Sequence, residues 1–412
     1  MQAARIFHGG PMENWKAKFI FLGIGQAVSM LTSSILQISI VWYLTQKTGS
    51  PAIVTMSTLA GYLPRAVLGL FTGTFIDRFN RKKIIMFSDL IIALAALSLG
   101  LVAFLGEIPV WLIFVMLCVR SMGAAFHTPS FNAVVPSIVP KEQLARCAGI
   151  TQGFESISLI LSPAIAAVLF GLWDLSSIIF LDVVGALIAI SIVWILPIPG
   201  HGEEEEGKSL HIWQDTKEGF EVLRRQKGLM AIMVISTMYA FIYFPIGSLY
   251  PLITMTYFGG TVAESSVVEI IFSGGTLVGA LILGIVGNKV NKVYAITASI
   301  GIYGIGVMLS GLLPPSGLKQ FVILSGIMGF TLPFFYGLRT AIFQSSVPGE
   351  YLGRVLSLAY SVSLFAAPLG LLLGGTVSEL IGVNYCFFIC GILSIGLASA
   401  MMITPSVRSI RV

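Results

Sequence analysis

The sequence predicts an all-α integral membrane protein of twelve transmembrane helices in two pseudo-symmetric halves of six. Three observations carry this expectation. The chain is 56% hydrophobic and 10% charged, where soluble domains carry roughly 25% charged residues. Its apolar residues gather into runs of about 20, enough to cross roughly 30 Å of hydrocarbon at about 1.5 Å per residue. Two polar patterns of the first half also recur in the second. Shifted by 211 residues, Gly73-x-x-x-Asp77-Arg78-x-Asn80-Arg81 falls on Gly284-x-x-x-Asn288-Lys289-x-Asn291-Lys292. Shifted by 208, Val139-Pro140-x-Glu142-x-Leu144-x-Arg146 falls on Val347-Pro348-x-Glu350-x-Leu352-x-Arg354. Parallel repeats of this kind mark a duplicated six-helix unit.

The elements follow in order. Residues 1–17 form an N-terminal cytoplasmic segment in which no cleavable signal is expected, because the apolar run that follows is too long for one. Trp15, Lys16 and Lys18 anchor the first span at the interface. Spans are expected near 18–44, 52–76, 84–105, 109–131, 147–170 and 174–196 in the first half. The second half places them near 229–256, 266–287, 293–313, 320–343, 353–377 and 384–404. Domain boundaries therefore fall at 18–196 and 229–404, with a cytoplasmic linker at 197–228 and a tail at 405–412. In the linker, HGEEEEGK reads as flexible chain. Leu210, Trp213, Phe220 and Leu223 then fall at helical spacing among charges, which predicts an amphipathic helix on the cytoplasmic face of the bilayer.

Charge placement orients the chain. Of the 24 Lys and Arg, 19 fall in segments on one side of this topology. Lys47 and Lys319 alone lie on the other side, and three cations lie within spans. The positive-inside bias assigns the rich side, with both termini, to the cytoplasm. It also accounts for the net charge of +5 without a nucleic-acid partner. Cys118, Cys147, Cys386 and Cys390 lie in or at the ends of spans without zinc-type spacing, so they read as buried thiols, and no metal or cofactor is expected.

The run Gly73-Thr-Phe-Ile-Asp77-Arg78-Phe79-Asn80-Arg81-Lys82-Lys83 is the densest charge between two spans. Each ion would cost about 2.5–3.5 kcal/mol at a helix centre, so the run must be a short water-side loop. Its pattern and position resemble the signature loop of the major facilitator superfamily of transporters. The resemblance implies the major facilitator fold, with a substrate site between the halves near the midplane. It also implies a cytoplasmic gate formed by Gly73, Asp77, Arg78, Arg81 and Lys82, packed at the end of the opposite half. Arg120, followed by Gly123 in the fourth span, resembles a second motif of the superfamily. An Arg at that depth must face a cavity or an acid, as a functional group or as half of a structural pair. His127 lies seven residues on, on the same face, and reads either as packing or as cavity lining.

In the fifth span Gly149, Ser158, Ser162, Pro163, Ala166 and Ala167 follow the spacing of a glycine-rich motif found in drug antiporters of this superfamily. Each departure keeps a residue small enough for close helix approach. The intramembrane acids are Asp89, Glu155, Asp182 and Glu269. A carboxylate whose hydration changes between inward and outward states can take up and release a proton. Glu269 and Asp182 are the first candidates for proton coupling, with Arg120 beside them, and Glu155 is the third. Interhelical hydrogen bonding is their alternative role. Asp89, near the cytoplasmic end of its span, reads as a partner for the basic loop.

Candidate cavity residues lie on helical stripes. Gln26, Ser33 and Gln37 in the first span fall within about 40° of one another at about 100° per residue. Tyr239, Tyr243 and Tyr250 share a face of the seventh span, and the tenth offers Phe330, Phe334 and Tyr336. Such stripes are either core packing or pocket. The resemblance names the first, fourth, seventh and tenth spans as cavity-lining, and an aromatic cavity suits large amphiphiles.

More finely, GQAVSMLTSSILQ, YLTQKTGS, DRFNRKKIIM, RSMGAAFHTPSFNAV, QKGLM, LLPPSG and EYLGRVLSL resemble macrolide-efflux transporters of Gram-positive bacteria, over nearly the whole chain. That resemblance implies secondary active export of a hydrophobic drug in exchange for protons, by a monomer in the bacterial plasma membrane. An uptake symporter or a lipid transporter of the same superfamily is the alternative. An enzyme is not expected, since no metal-spaced His cluster, Gly-x-Ser-x-Gly or phosphate loop is present.

Overall fold

The computed structural model describes residues 14–140, 143–198, 212–287 and 289–408, a few helical stretches of them by backbone alone. Six long helices make the first half: α1 (Trp15–Thr48), α2 (Pro51–Arg78), α3 (Arg81–Leu105), α4 (Val110–Ile138), α5 (Leu144–Leu172) and α6 (Leu175–Ile195). After α7 (Ile212–Arg225) come α8 (Lys227–Leu252), α9 (Val262–Val286), α10 (Lys292–Leu312), α11 (Leu318–Ser346), α12 (Gly349–Ile381) and α13 (Val383–Ile403). A short α14 (Pro405–Arg408) ends the described chain. The shortest of the twelve long helices has 21 residues, about 32 Å at 1.5 Å per residue, which matches the hydrocarbon thickness. Among the described residues nine are long and apolar enough to cross a membrane, and α5 and α12 add the apolar stretches Ile160–Leu172 and Phe365–Ile381.

Local chemistry sets the helix ends. The Asn80 side chain accepts from the Lys83 amide at 3.3 Å, and the Asn291 side chain from the Tyr294 amide at 3.1 Å. These are the corresponding residues of the first repeat, so the duplicated pattern is in part a duplicated N-cap. Thr261 and Glu264 close a capping box on α9. Only Phe79 and Asn80 separate α2 from α3, so the charges expected in a loop are carried mostly by helix ends. Pro251 withholds an amide near the end of α8, and the chain widens there into a π segment, Ile253–Tyr257.

The chain forms two compact units, Met1–Tyr43 with Ser57–Ser209, and Leu44–Met56 with Leu210–Val412. In the first, α3 packs on α4 and α6. Phe19, Leu22, Ile85, Phe131, Val134 and Val193 meet there in one buried cluster. In the second, α10 packs on α13 and α11, α9 on α11, and α8 on α12. The α9–α11 crossing is tight because Gly329 has no Cβ, and one added there would run into the carbonyl oxygen of Phe272. The predicted amphipathic helix forms as α7 and packs on α12 and α8. Leu223 is buried and Phe220 exposed, while Leu210 and the Trp213 side chain lie outside the described residues. Large apolar side chains such as Leu105, Leu172, Trp194 and Leu380 are exposed. Spread over the long helices, that surface suits hydrocarbon rather than water.

Candidate functional site

In the first unit, the structure joins three residues that the sequence marks separately. Arg120 of α4 forms an ion pair with Asp182 of α6 through Nη1 and Oδ2. Ser33 of α1 donates from Oγ to Oδ1 of the same carboxylate at 2.8 Å. Asp182 is 1% exposed, and among the described residues its charge is balanced by this cation and this hydroxyl. Ser33 reaches it because α1 and α6 touch: a Cβ at Gly185 would overlap the Thr32 side chain.

A second pair sits seven residues further along α4. His127 Nε2 lies 3.4 Å from Oδ1 of Asp89 on α3, and its ring stacks on Phe131. The partner described for Asp89 is therefore His127, and not the basic loop that its position in sequence suggested, whose Arg78 side chain lies outside the described residues. Asp89 is buried against His127, because α3 turns that face toward α4. Arg65 of α2 approaches the same place: its amide donates to Ser121 Oγ at 3.0 Å and its guanidinium to Thr128 Oγ1 at 3.4 Å. Sequence reasoning passed over Arg65, although the rule that singled out Arg120 applies to it equally. His127 also lines a cavity of about 90 Å³ with Gln26, Met30, Asn132, Thr151 and Phe154. Gln37 lies instead against Gly61 of α2. The polar stripe of α1 thus serves three different neighbours.

In the second unit, Tyr239 is enclosed by aromatic rings. Its centroid lies 4.4 Å from Phe335, 5.6 Å from Tyr303 and 6.0 Å from Tyr243. Arg339, a buried cation of α11, lies 5.6 Å from the ring centres of both Phe335 and Tyr336. Phe330 and Phe334 are half-buried neighbours, 5.3 Å apart. Tyr250 adds ring contacts with Phe272, Phe321 and Phe387. Phe335, Tyr303 and Arg339 were not among the expected site residues. Arg339 had a legible signal as an intramembrane cation, whereas Tyr303 lies on another helix. Glu269 is half-buried on α9.

Of the gate residues, Arg81 donates to the Ala133 carbonyl at 3.1 Å, and Lys82 Nζ donates to the carbonyls of Trp194 and Leu196 at 2.8 Å each. Lys82 thereby caps the C-terminus of α6, where a cation stabilises by about 0.3–1 kcal/mol. Lys82→Met should lower the thermal midpoint in detergent by that small amount, and an unchanged midpoint would refute the cap. The side chains of Asp77 and Arg78, with Gly73, lie outside the described residues, as do Gly149 and the Glu155 side chain. Ser158, Ser162, Pro163 and Ala166 of α5 are buried and Ala167 half-buried, and Ser162 Oγ donates to the Ser158 carbonyl. Among the described residues no three His, Cys, Asp or Glu side chains gather as metal ligands would.

Paired charges inside long apolar helices suit a transporter, and comparison with known proteins decides the family. A model described as the Major Facilitator Superfamily matches residues 22–259 and 232–409. The chain belongs to the major facilitator superfamily. It is a multi-pass membrane transporter and not an enzyme. It is 47% identical over 398 residues to macrolide efflux protein A of Streptococcus pyogenes, covering 97% of this chain and 98% of that protein. It is 48% identical over 323 residues to macrolide efflux protein A of Enterococcus faecalis, covering 78% of this chain and all of that one. Among solved structures, the nucleoside transporter NupG shares the fold at a TM-score of 0.75 and 14% identity, over 93% of this chain and 98% of that one. The major facilitator fold is thus kept where sequence likeness has gone.

Proposed function

We propose that this major facilitator transporter exports macrolide-like hydrophobic drugs from the bacterial cytoplasm in exchange for protons, by alternating access. The observation that carries the reading is the 47% identity, end to end, with macrolide efflux protein A. The aromatic side chains Phe330, Phe334 and Tyr336, close together on α11, support a bulky amphiphilic substrate. Asp182 in its ion pair, together with Glu269 and Glu155, supplies the carboxylates for proton coupling. The gate residues Gly73, Asp77, Arg78, Arg81 and Lys82 close the cytoplasmic side, both termini face the cytoplasm, and the monomer is the working unit.

No nucleotide-binding motif occurs in the chain, so an ion gradient supplies the energy. One charge moved through 100 mV yields about 2.3 kcal/mol, roughly a fifty-fold concentration ratio. Proteoliposomes holding the purified protein test the reading directly. Erythromycin should exchange against a pH gradient, a protonophore should abolish its accumulation, and sodium removal should leave it intact. Accumulation in the uptake direction, or indifference to the protonophore, would overturn the proposal.

A further inference from the structure

We propose that Asp89 and His127 form a proton-binding site of the first unit, separate from the Arg120–Asp182 pair and loaded through the cavity beside Gln26. The inference rests on the proton-exchange reading and assigns a proton site to residues outside the three acids named there.

The two buried aspartates of this unit are dressed differently. Both oxygens of Asp182 accept, one from Arg120 and one from Ser33, so its surroundings are built for the anion. Among the described residues Asp89 has no such shell. Its Oδ2 is buried without a hydrogen-bond partner, and so is Nε2 of His127. The 3.4 Å between Nε2 and Oδ1 exceeds a good N–H···O bond by a few tenths of an ångström. A bare carboxylate oxygen in apolar surroundings is costly, and one added proton removes that cost by making the pair neutral. Of the two carboxylates, Asp89 is therefore the one with most to gain from an added proton.

The charged groups described around the pair are Arg65 of α2, whose guanidinium reaches Thr128 next to His127, and Asp182 of α6 in its ion pair with Arg120. With both aspartates ionised, these two arginines and two aspartates sum to zero. A proton on the Asp89–His127 pair leaves a charge of +1.

Access is also present. The His127 side chain is 16% exposed and borders the cavity of about 90 Å³. A water occupies about 30 Å³ in the liquid and needs two or more polar partners, so the cavity has room for water. Gln26, whose Nε2 is likewise buried without a partner, supplies one of those partners, with Asn132 and Thr151 beside it. The proton passes from cavity water to the imidazole, is shared with Oδ1 of Asp89, and leaves by the same atoms. Arg120 and His127 stand seven residues apart on one face of α4, so any movement of that helix acts on both carboxylates at once.

Infrared difference spectroscopy of the purified protein in nanodiscs, taken across a pH series, tests the site. The wild type should show a titrating C=O stretch of a protonated carboxyl that Asp89→Asn removes. His127→Gln should keep the band and displace its midpoint by roughly one pH unit or more, a tenfold change in proton affinity that a purely structural histidine would not produce. In proteoliposomes Asp89→Asn should lower the protons exchanged per erythromycin by one. A titrating band intact in Asp89→Asn, or a midpoint unmoved in His127→Gln, would overturn the site. Protonophore-insensitive accumulation by the wild type would instead overturn the exchange reading, and the infrared result would still decide the site.

Discussion

Asp182→Asn should abolish proton-coupled drug exchange and, alone among substitutions of the buried acids, strand a cation in the membrane. The reason is geometric. Arg120, 11% exposed, is paired with Asp182, 1% exposed, and removing one member of a buried pair costs about 3–5 kcal/mol, because the other charge stays behind uncompensated. Arg120→Leu alone should be equally harmful, since Ser33 is then the one described partner of the carboxylate. The double variant Arg120→Leu/Asp182→Leu, which buries no charge, should recover most of the lost stability in a thermal unfolding assay while exchange remains absent. Non-additivity of that size separates a coupled pair from two independent packing residues. Full stability and full exchange in Asp182→Asn would remove the pair from the mechanism and leave Glu269, Glu155 and Asp89 as the acids to test.

The fold was legible because its signals are local. Hydropathy sets each span, proline and glycine set most ends, and a repeat needs no tertiary knowledge to be seen. The number of helices and the amphipathic α7 were announced by residues inside the elements themselves, whereas Asn80 and Asn291 stood out only as members of a repeat and the structure shows them to be N-caps. The site was legible only as a set of unconnected parts. Arg120, Asp182 and Ser33 stood out singly as polar residues in apolar helices, yet their meeting spans separations of 62 and 149 residues. Helical periodicity gives a face and not a depth, and depth decides the partner. Asp89 shows the consequence: its position in sequence faces the basic loop, while the packing of α3 on α4 gives it to His127. Arg65 and Arg339 were missed for another reason, since attention to motifs passed over intramembrane cations that carry none.

Tyr239→Ala should cost about 3–5 kcal/mol of stability, the range for truncating a buried aromatic ring, and should depress export of every compound alike. In hydrocarbon, helices gain nothing from hiding apolar surface, so packing itself holds them together and a void is not offset by other contacts. Tyr239 is 1% exposed and meets three rings from α8, α10 and α11, two of them within 5.6 Å. Its loss therefore loosens the joint of three helices. Phe334 offers the contrast on the same site, because it is half-buried and its one described ring partner is its neighbour Phe330. Phe334→Ala should leave the thermal midpoint nearly unchanged and shift the spectrum of exported macrolides. Thermal unfolding and a panel of macrolides, run together on both variants, distinguish a wall of the pocket from a pillar behind it. If Tyr239→Ala keeps the wild-type midpoint and changes selectivity among compounds, the ring borders the drug and the enclosure described for it opens during transport.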